Sequence, residues 1–213
     1  MSEPPPADEL RELLSQDARD VAPRLLGAVL THAGRDGLVS VRITEVEAYL
    51  GPHDSLHPDP GSHTFRGATA RNAVMFGPAG HLYVYFTYGM HHCANIVCGP
   101  DGVASAVLLR AGEIVAGEDL ALARRPTSKS SKDLASGPAR LATALGITTA
   151  DSGRDALQAP FRLELPGALA ADVSSGPRVG VSGAGGTHNY PWRFWLSGDP
   201  TVSRYKAAKV RLA

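Results

Sequence analysis

The first 128 residues of this 213-residue chain contain no lysine. The four lysines are Lys129, Lys132, Lys206 and Lys209, against 17 arginines. That long stretch therefore offers no side-chain amine as a nucleophile. Cysteine is scarcer still. Cys93 and Cys98 are spaced C-x4-C, which is not a CxxC metal or redox knuckle, and two cysteines make no disulfide framework. The expected setting is reducing and cytoplasmic. Net charge is missing too, since 21 basic residues meet 21 acidic ones. The chain is no polycation that coats nucleic acid indiscriminately, so a nucleic-acid partner would need a local basic face. No apolar run approaches the roughly 18 residues of a membrane span, so no membrane partner is expected. The opening MSEPPPADEL is acidic and proline-rich, without the apolar stretch of a signal peptide.

What remains is the composition of one ordinary globular domain, 43% hydrophobic and 20% charged. Residues 1–16 are assigned to a flexible N-terminal tail, 17–205 to a single domain and 206–213 to a C-terminal tail. Leu10, Leu13 and Leu14 nevertheless form an apolar stripe. Ala28–His32 and Leu38–Leu50 read as two strands of a hairpin around a turn at residues 33–37. Residues 51–80 hold nine Gly and Pro residues, an excursion long enough to suggest function, with a short helix near Arg71–Met75. Strands are expected at His81–Met90, Asn95–Cys98, Val103–Arg110, Phe161–Leu165, Arg178–Val181 and Trp192–Leu196. Helices are expected over Glu113–Arg124 and Pro138–Leu145, the latter with Pro inside its start and Gly146 past its end. The fold class that follows is α+β, a single domain with a mostly antiparallel curved sheet flanked by helices.

Three groups could carry chemistry. The stretch Glu45-Val46-Glu47-Ala48-Tyr49 places two acids and a tyrosine on one face of a strand. Such a pair is either a solvated outer face or an acid–base site in which one carboxylate is held by a cation. Aromatic residues make up only 6%, yet four of the six tyrosines fall between positions 49 and 88. Tyr83 and Tyr85 share a strand face; they either pack the sheet or form a platform for a planar ring. His53 and His57 have H-x3-H spacing, but Pro58 and Pro60 favour a loop over the helix that would turn it into a metal site. Arg66, Arg71 and Arg110, and the second group Arg124, Arg125, Lys129, Lys132 and Arg140, are either solvated charge or phosphate contacts. Ser136-Gly137, at a helix start, could also hold a phosphate.

Taken in order, these pieces resemble a known family. They are Glu-Val-Glu-Ala-Tyr-Leu-Gly (45–51), Ser-His-Thr-Phe-Arg-Gly (62–67), Arg71-Asn72, Met75-Phe76, Leu82-Tyr83-Val84-Tyr85, Tyr88-Gly89-Met90, Cys93, Asn95 and Leu108-Leu109-Arg110. Ser136-Gly137-Pro138, Arg178-Val179-Gly180-Val181 and Arg193-Phe194 follow. The pattern, from about Pro23 to Ser203, is similar to the alkyladenine DNA glycosylases, the methylpurine type of 3-methyladenine DNA glycosylase, in a bacterial member.

The resemblance implies hydrolysis of the N-glycosidic bond of alkylated or deaminated purines in double-stranded DNA, by a monomer with no cofactor or metal, acting at the bacterial nucleoid. It implies Glu47 as the residue that activates water and Arg110 as its neighbour near the flipped nucleotide. Tyr49, His63 and Tyr85 would stack on the base, Asn95 would floor the pocket, and Tyr88 would wedge into the duplex. Some glycosylases attack with an amine and then nick the strand; the missing lysines favour a monofunctional enzyme. Two other classes stay open on the residues alone: a metal-dependent hydrolase of small molecules, and a non-catalytic nucleic-acid-binding protein.

Overall fold

The structure is a computed structural model that describes residues 7–87 and 89–208. An eight-stranded antiparallel sheet forms its frame, with β3 (Leu82–Thr87), β4 (His91–Val97), β5 (Ala106–Ala116), β2 (Gly37–Tyr49), β1 (Val29–Gly34) and β6 (Phe161–Glu164) adjacent in that order. Strand β8 (Arg193–Leu196) pairs with both β2 and β7 (Val173–Gly176). Helices α1 (Ala7–Leu14), α2 (Ala18–Arg24), α3 (Glu118–Arg124) and α4 (Pro138–Leu145) complete it. This is the α+β single domain with a mostly antiparallel sheet that the pattern of strands and turns predicts.

The 13-residue β2 organises everything else. Its first half pairs with β1 through a two-residue turn, Arg35-Asp36, with Gly34 opposite Gly37. Its second half leaves β1, and Glu45–Glu47 pair instead with Trp195–Arg193 of β8. On its other edge β5 pairs with residues 40–49. Three register shifts interrupt that ladder; one leaves Val115 extra on β5 between Ile114 and Ala116, and the other two lie further along. Thr44 is extra on β2 between Ile43 and Glu45, and Arg110 is extra on β5 between Leu109 and Ala111. Bulges bend a strand and re-aim side chains; the Thr44 and Arg110 bulges fall beside the two glutamates. Gly112 tolerates no side chain at this bend, since a Cβ would lie 2.5 Å from the Arg42 carbonyl oxygen.

The structure departs from the sequence-based expectations in four places. Helix α1 lies within the stretch 1–16 assigned to a flexible tail. Its stripe of Leu10, Leu13 and Leu14 is buried in the core, and Arg11 bonds Asp155 and the Ala79 carbonyl. The C-terminal stretch is likewise engaged at its start, where the Lys206 carbonyl accepts the Gly180 N–H. Glu113–Ala116 is strand rather than helix. Arg42 binds Glu113 across the ladder, and only at Gly117, in the left-handed region, does the chain turn into α3. Arg178–Val181 is no strand: the Val179 N–H goes to a side chain, and Gly180 is left-handed.

Residues 50–81 form the expected excursion, with one short 3-10 turn at Ala73–Phe76. The excursion is stitched from within. Asn72 accepts the Thr69 N–H and donates to the His63 and Gly67 carbonyls, while the Thr64 hydroxyl donates to the Leu50 carbonyl. The loop is thereby folded back over the end of β2, carrying His63 to the sheet.

Candidate active site

A cavity of about 370 Å³ opens where β2, β3, β4 and β5 meet the folded-back loop. That size suits a small planar ligand. Tyr49, His63, Tyr85, Asn95 and Arg110, five of the seven side chains given a role by the resemblance, contribute to its wall, and Tyr83 lines it beside them. Of the other two, Tyr88 lies outside the described residues, and Glu47 is fully buried one layer beneath the wall. Pro138 and residues 179–182 close the far side. The site is therefore not confined to residues 1–128, and Lys206 reaches its rim by its backbone; no lysine lines the cavity among the described residues.

The aromatic side is a set of rings at defined angles. Tyr83 and Tyr85 project from the same face of β3, 5.6 Å apart. His63 stands nearly perpendicular to Tyr85 at 4.6 Å, with its Nδ1 3.2 Å from the Tyr83 hydroxyl. Burial, and then the Arg71 charge, push the His63 imidazole below the usual histidine range. The ring is thus neutral near pH 7. Arg71 lies over Tyr85 at 5.6 Å and donates to the Phe86 carbonyl. Asn95, in β4, donates its amide to the Tyr83 carbonyl, which fixes the orientation of its side chain in the floor.

Beneath the rings lies the answer to the two glutamates. Both are fully buried, and each has its own partners. One Glu45 oxygen accepts from Arg110 Nε at 2.8 Å and Arg193 Nε at 2.6 Å, and the other from the Ser203 N–H at 2.7 Å. Burial alone would push this carboxyl up; the Arg110 charge, the Ser203 bond and Arg193 outweigh it and hold Glu45 below the usual glutamate range. Glu47 is held more lightly. Oε1 accepts the Val179 N–H at 2.7 Å, and Oε2 accepts the Tyr49 hydroxyl at 2.8 Å, with Arg110 Nη1 3.3 Å away as a looser ion pair. Burial and the Glu47 charge keep the Tyr49 hydroxyl protonated and hence a donor. Arg110 stays charged because Glu47 and Glu45 outweigh its own burial. The bulge at Arg110 thus sets one guanidinium between two carboxylates, with the aligned hydrogen bond given to Glu45. A carboxylate has about four lone-pair sites, so these three donors leave Glu47 with unused acceptor capacity.

Two residues without a sequence-assigned role complete the site. Arg178 and Asp59 form a bidentate pair with both contacts at 2.6 Å and both side chains fully buried. Within Pro58-Asp59-Pro60-Gly61 the aspartate reads as turn chemistry, and nothing local points to a partner 119 positions away. His57 lies elsewhere, lining a separate cavity with Leu50, Phe76 and Val103. Among the described residues no three His, Cys, Asp or Glu side chains converge so as to hold a metal ion. The second basic group is largely occupied. Arg124 binds Asp36 and the Ala144 carbonyl, Arg125 the Asp133 and Leu134 carbonyls, and Arg140 the Asp133 carboxylate.

Known proteins resemble this chain along most of its length. The family profile described as methylpurine-DNA glycosylase (MPG) matches residues 12–200. A protein of Streptomyces avermitilis provisionally named 3-methyladenine DNA glycosylase is 57% identical over 205 residues, covering 94% of this chain and 93% of its own length. Relatives with the same provisional name in Leifsonia xyli and Nocardia farcinica are 56% and 54% identical, each covering 92% of this chain and 92% and 90% of their own lengths.

Proposed function

This chain belongs to the methylpurine-DNA glycosylase family, and on that premise we propose that Glu47 directs a water at C1′ of a damaged purine nucleotide flipped out of duplex DNA. The reaction is hydrolysis of an N-glycosidic bond, and it leaves an abasic site. The observation that carries the residue assignment is the Glu47 carboxylate itself. It is held by Val179, Tyr49 and Arg110 directly behind a cavity walled by aromatic rings.

The steps follow from the site. A base inside the stack is out of reach, so the nucleotide leaves the duplex at a cost of a few kcal/mol. Rings at Tyr49, His63 and Tyr85 offset that cost at about 1–3 kcal/mol per stacked base. By resemblance, Tyr88 supplies the wedge that fills the gap. An alkylated purine that carries positive charge is favoured over electron-rich rings. A neutral His63 adds no opposing charge. As the bond to the sugar lengthens, cationic character grows at C1′. The Glu47 anion faces it in a site of low dielectric, where such stabilisation is strongest. The same carboxylate takes the proton of the attacking water. Asn95 and Tyr83 form a polar floor that reads the edge of the base. Deaminated purines fit the same ring-lined slot. Because water and not an amine attacks, no strand cleavage follows.

The test is direct. Purified protein is incubated with a duplex carrying one methylated or deaminated purine, and the product is cut at abasic sites by alkali. Strand scission after alkali supports the reading; an intact strand under all lesions refutes it.

A further inference from the structure

We propose that the buried Arg178–Asp59 pair is a positioning device for the catalytic carboxylate, clamping together the two chain segments whose donors hold Glu47. The proposal rests on Glu47 being that carboxylate.

Arg178 spends all its donors on three different segments. Nη1 donates to the Ala48 carbonyl at 3.0 Å and to Asp59 at 2.6 Å; Nη2 donates to Asp59 at 2.6 Å and to the Gly185 carbonyl at 2.8 Å; Nε also reaches Gly185, at 3.3 Å. Its guanidinium lies 4.5 Å from the Tyr49 ring centre and 5.1 Å from that of Trp192. Strand β2, the long loop and the turn at 183–186 are therefore joined through one planar group. Asp59 extends the clamp, since it also accepts the Leu50 and Gly61 N–H groups, two residues before the His63 wall.

The position of this clamp sets it apart from an ordinary ion pair. Val179, next in sequence to Arg178, donates its N–H to Glu47 Oε1. Tyr49, under the guanidinium, donates its hydroxyl to Glu47 Oε2. Both donors with aligned bonds to Glu47 thus lie within one residue or one ring of Arg178. The slot is cut to fit: a Cβ on Gly61 would lie 2.4 Å from Nη2, and one on Gly185 2.4 Å from the Gly61 nitrogen. A buried ion pair is weak evidence for stability, because apolar residues of similar volume often do as well. Five directed donors and two stacked faces at this point are accounted for by orientation. Lysine, with a single ammonium and no plane, cannot reproduce them.

Arg178→Lys and Asp59→Asn test the clamp in single-turnover base release with saturating enzyme, read beside the half-saturating enzyme concentration for lesion duplex and a thermal melt. For protein that is folded by its melt, misplaced donors lower the single-turnover rate about 10–100-fold while half-saturation moves less than about threefold. The double variant falls little further than the worse single one, as expected for a unit. A purely structural pair lowers the melting temperature and leaves the saturated rate of folded protein at the wild-type value, and that result overturns the proposal. If Arg178→Lys is insoluble, the near-isosteric Asp59→Asn is read by the same criteria. Should the wild type release no base at all, the functional reading fails first; should Glu47→Gln abolish release while Arg178→Lys and Asp59→Asn match wild type, only the clamp fails.

Discussion

Replacing Glu45 by glutamine should damage this protein more than its distance from the cavity suggests. The carboxylate sits at zero exposure among Arg110, Arg193 and the Ser203 N–H, all of them donors. A glutamine has one oxygen and one NH2 group. If the NH2 takes the place of Oε2, it meets the Ser203 N–H; turned over, it meets two guanidinium groups. Neither orientation satisfies the site, and two buried cations lose their common anion. Breaking a buried pair in this way costs about 3–5 kcal/mol. For a chain of this size each kcal/mol moves Tm by roughly 2–4 °C, so the loss is on the order of 10 °C. The sign of the pH dependence is also set. Glu45 is held below its usual range in the fold, so its contribution is fully present above the ordinary glutamate value and is lost as pH falls through the lowered folded value. The gap between wild type and Glu45→Gln, measured by denaturant unfolding across pH, should therefore narrow on acidification. A gap under about 1 kcal/mol at neutral pH, where surface changes fall, would refute the reasoning, as would a gap that does not change with pH.

Further predictions concern the cavity. Tyr49→Phe removes a hydroxyl that donates to Glu47 at 2.8 Å; a bond to a charged group is worth about 1.5–3 kcal/mol, so base release should slow roughly 10- to 100-fold in a single-turnover assay. His63 is held below the usual histidine range, so the unfolded chain takes up its proton first and stability declines as pH falls through that range. His63→Gln should flatten this part of the stability–pH curve, measured by chemical denaturation. Borohydride added during turnover should trap no covalent protein–DNA adduct, and the product strand should stay whole until alkali is added; an adduct would show amine attack.

Much of the fold could be read from local pattern. The hairpin of β1 and β2 follows from alternation and a turn, and α4 follows from its Pro and Gly ends. The reading of Glu113–Arg124 as one helix failed because Glu113 and Val115 face solvent while Ile114 and Ala116 are half-buried, a period of two that a short window conceals before the turn at Gly117. The aromatic half of the site was legible, because Tyr83 and Tyr85 share a strand face and cluster in sequence with Tyr49. The electrostatic half was legible only in part. Spacing puts Glu45 and Glu47 on one side of β2, but which of them is tied down depends on a bulge at Arg110 and on strand β8 about 150 residues later. Asp59 and Arg178 were invisible for the same reason: their pairing is a long-range contact with no local signature.

The central claim is that Glu47 performs the chemistry and the rest of the cavity presents the base to it. Glu47→Gln keeps the shape of the side chain and removes its charge. Base release from methylated duplex DNA should fall by several orders of magnitude, as removal of an activating group and a charge facing the transition state requires, while binding of the same duplex stays near wild type. Undiminished release of 3-methyladenine by Glu47→Gln would contradict the account.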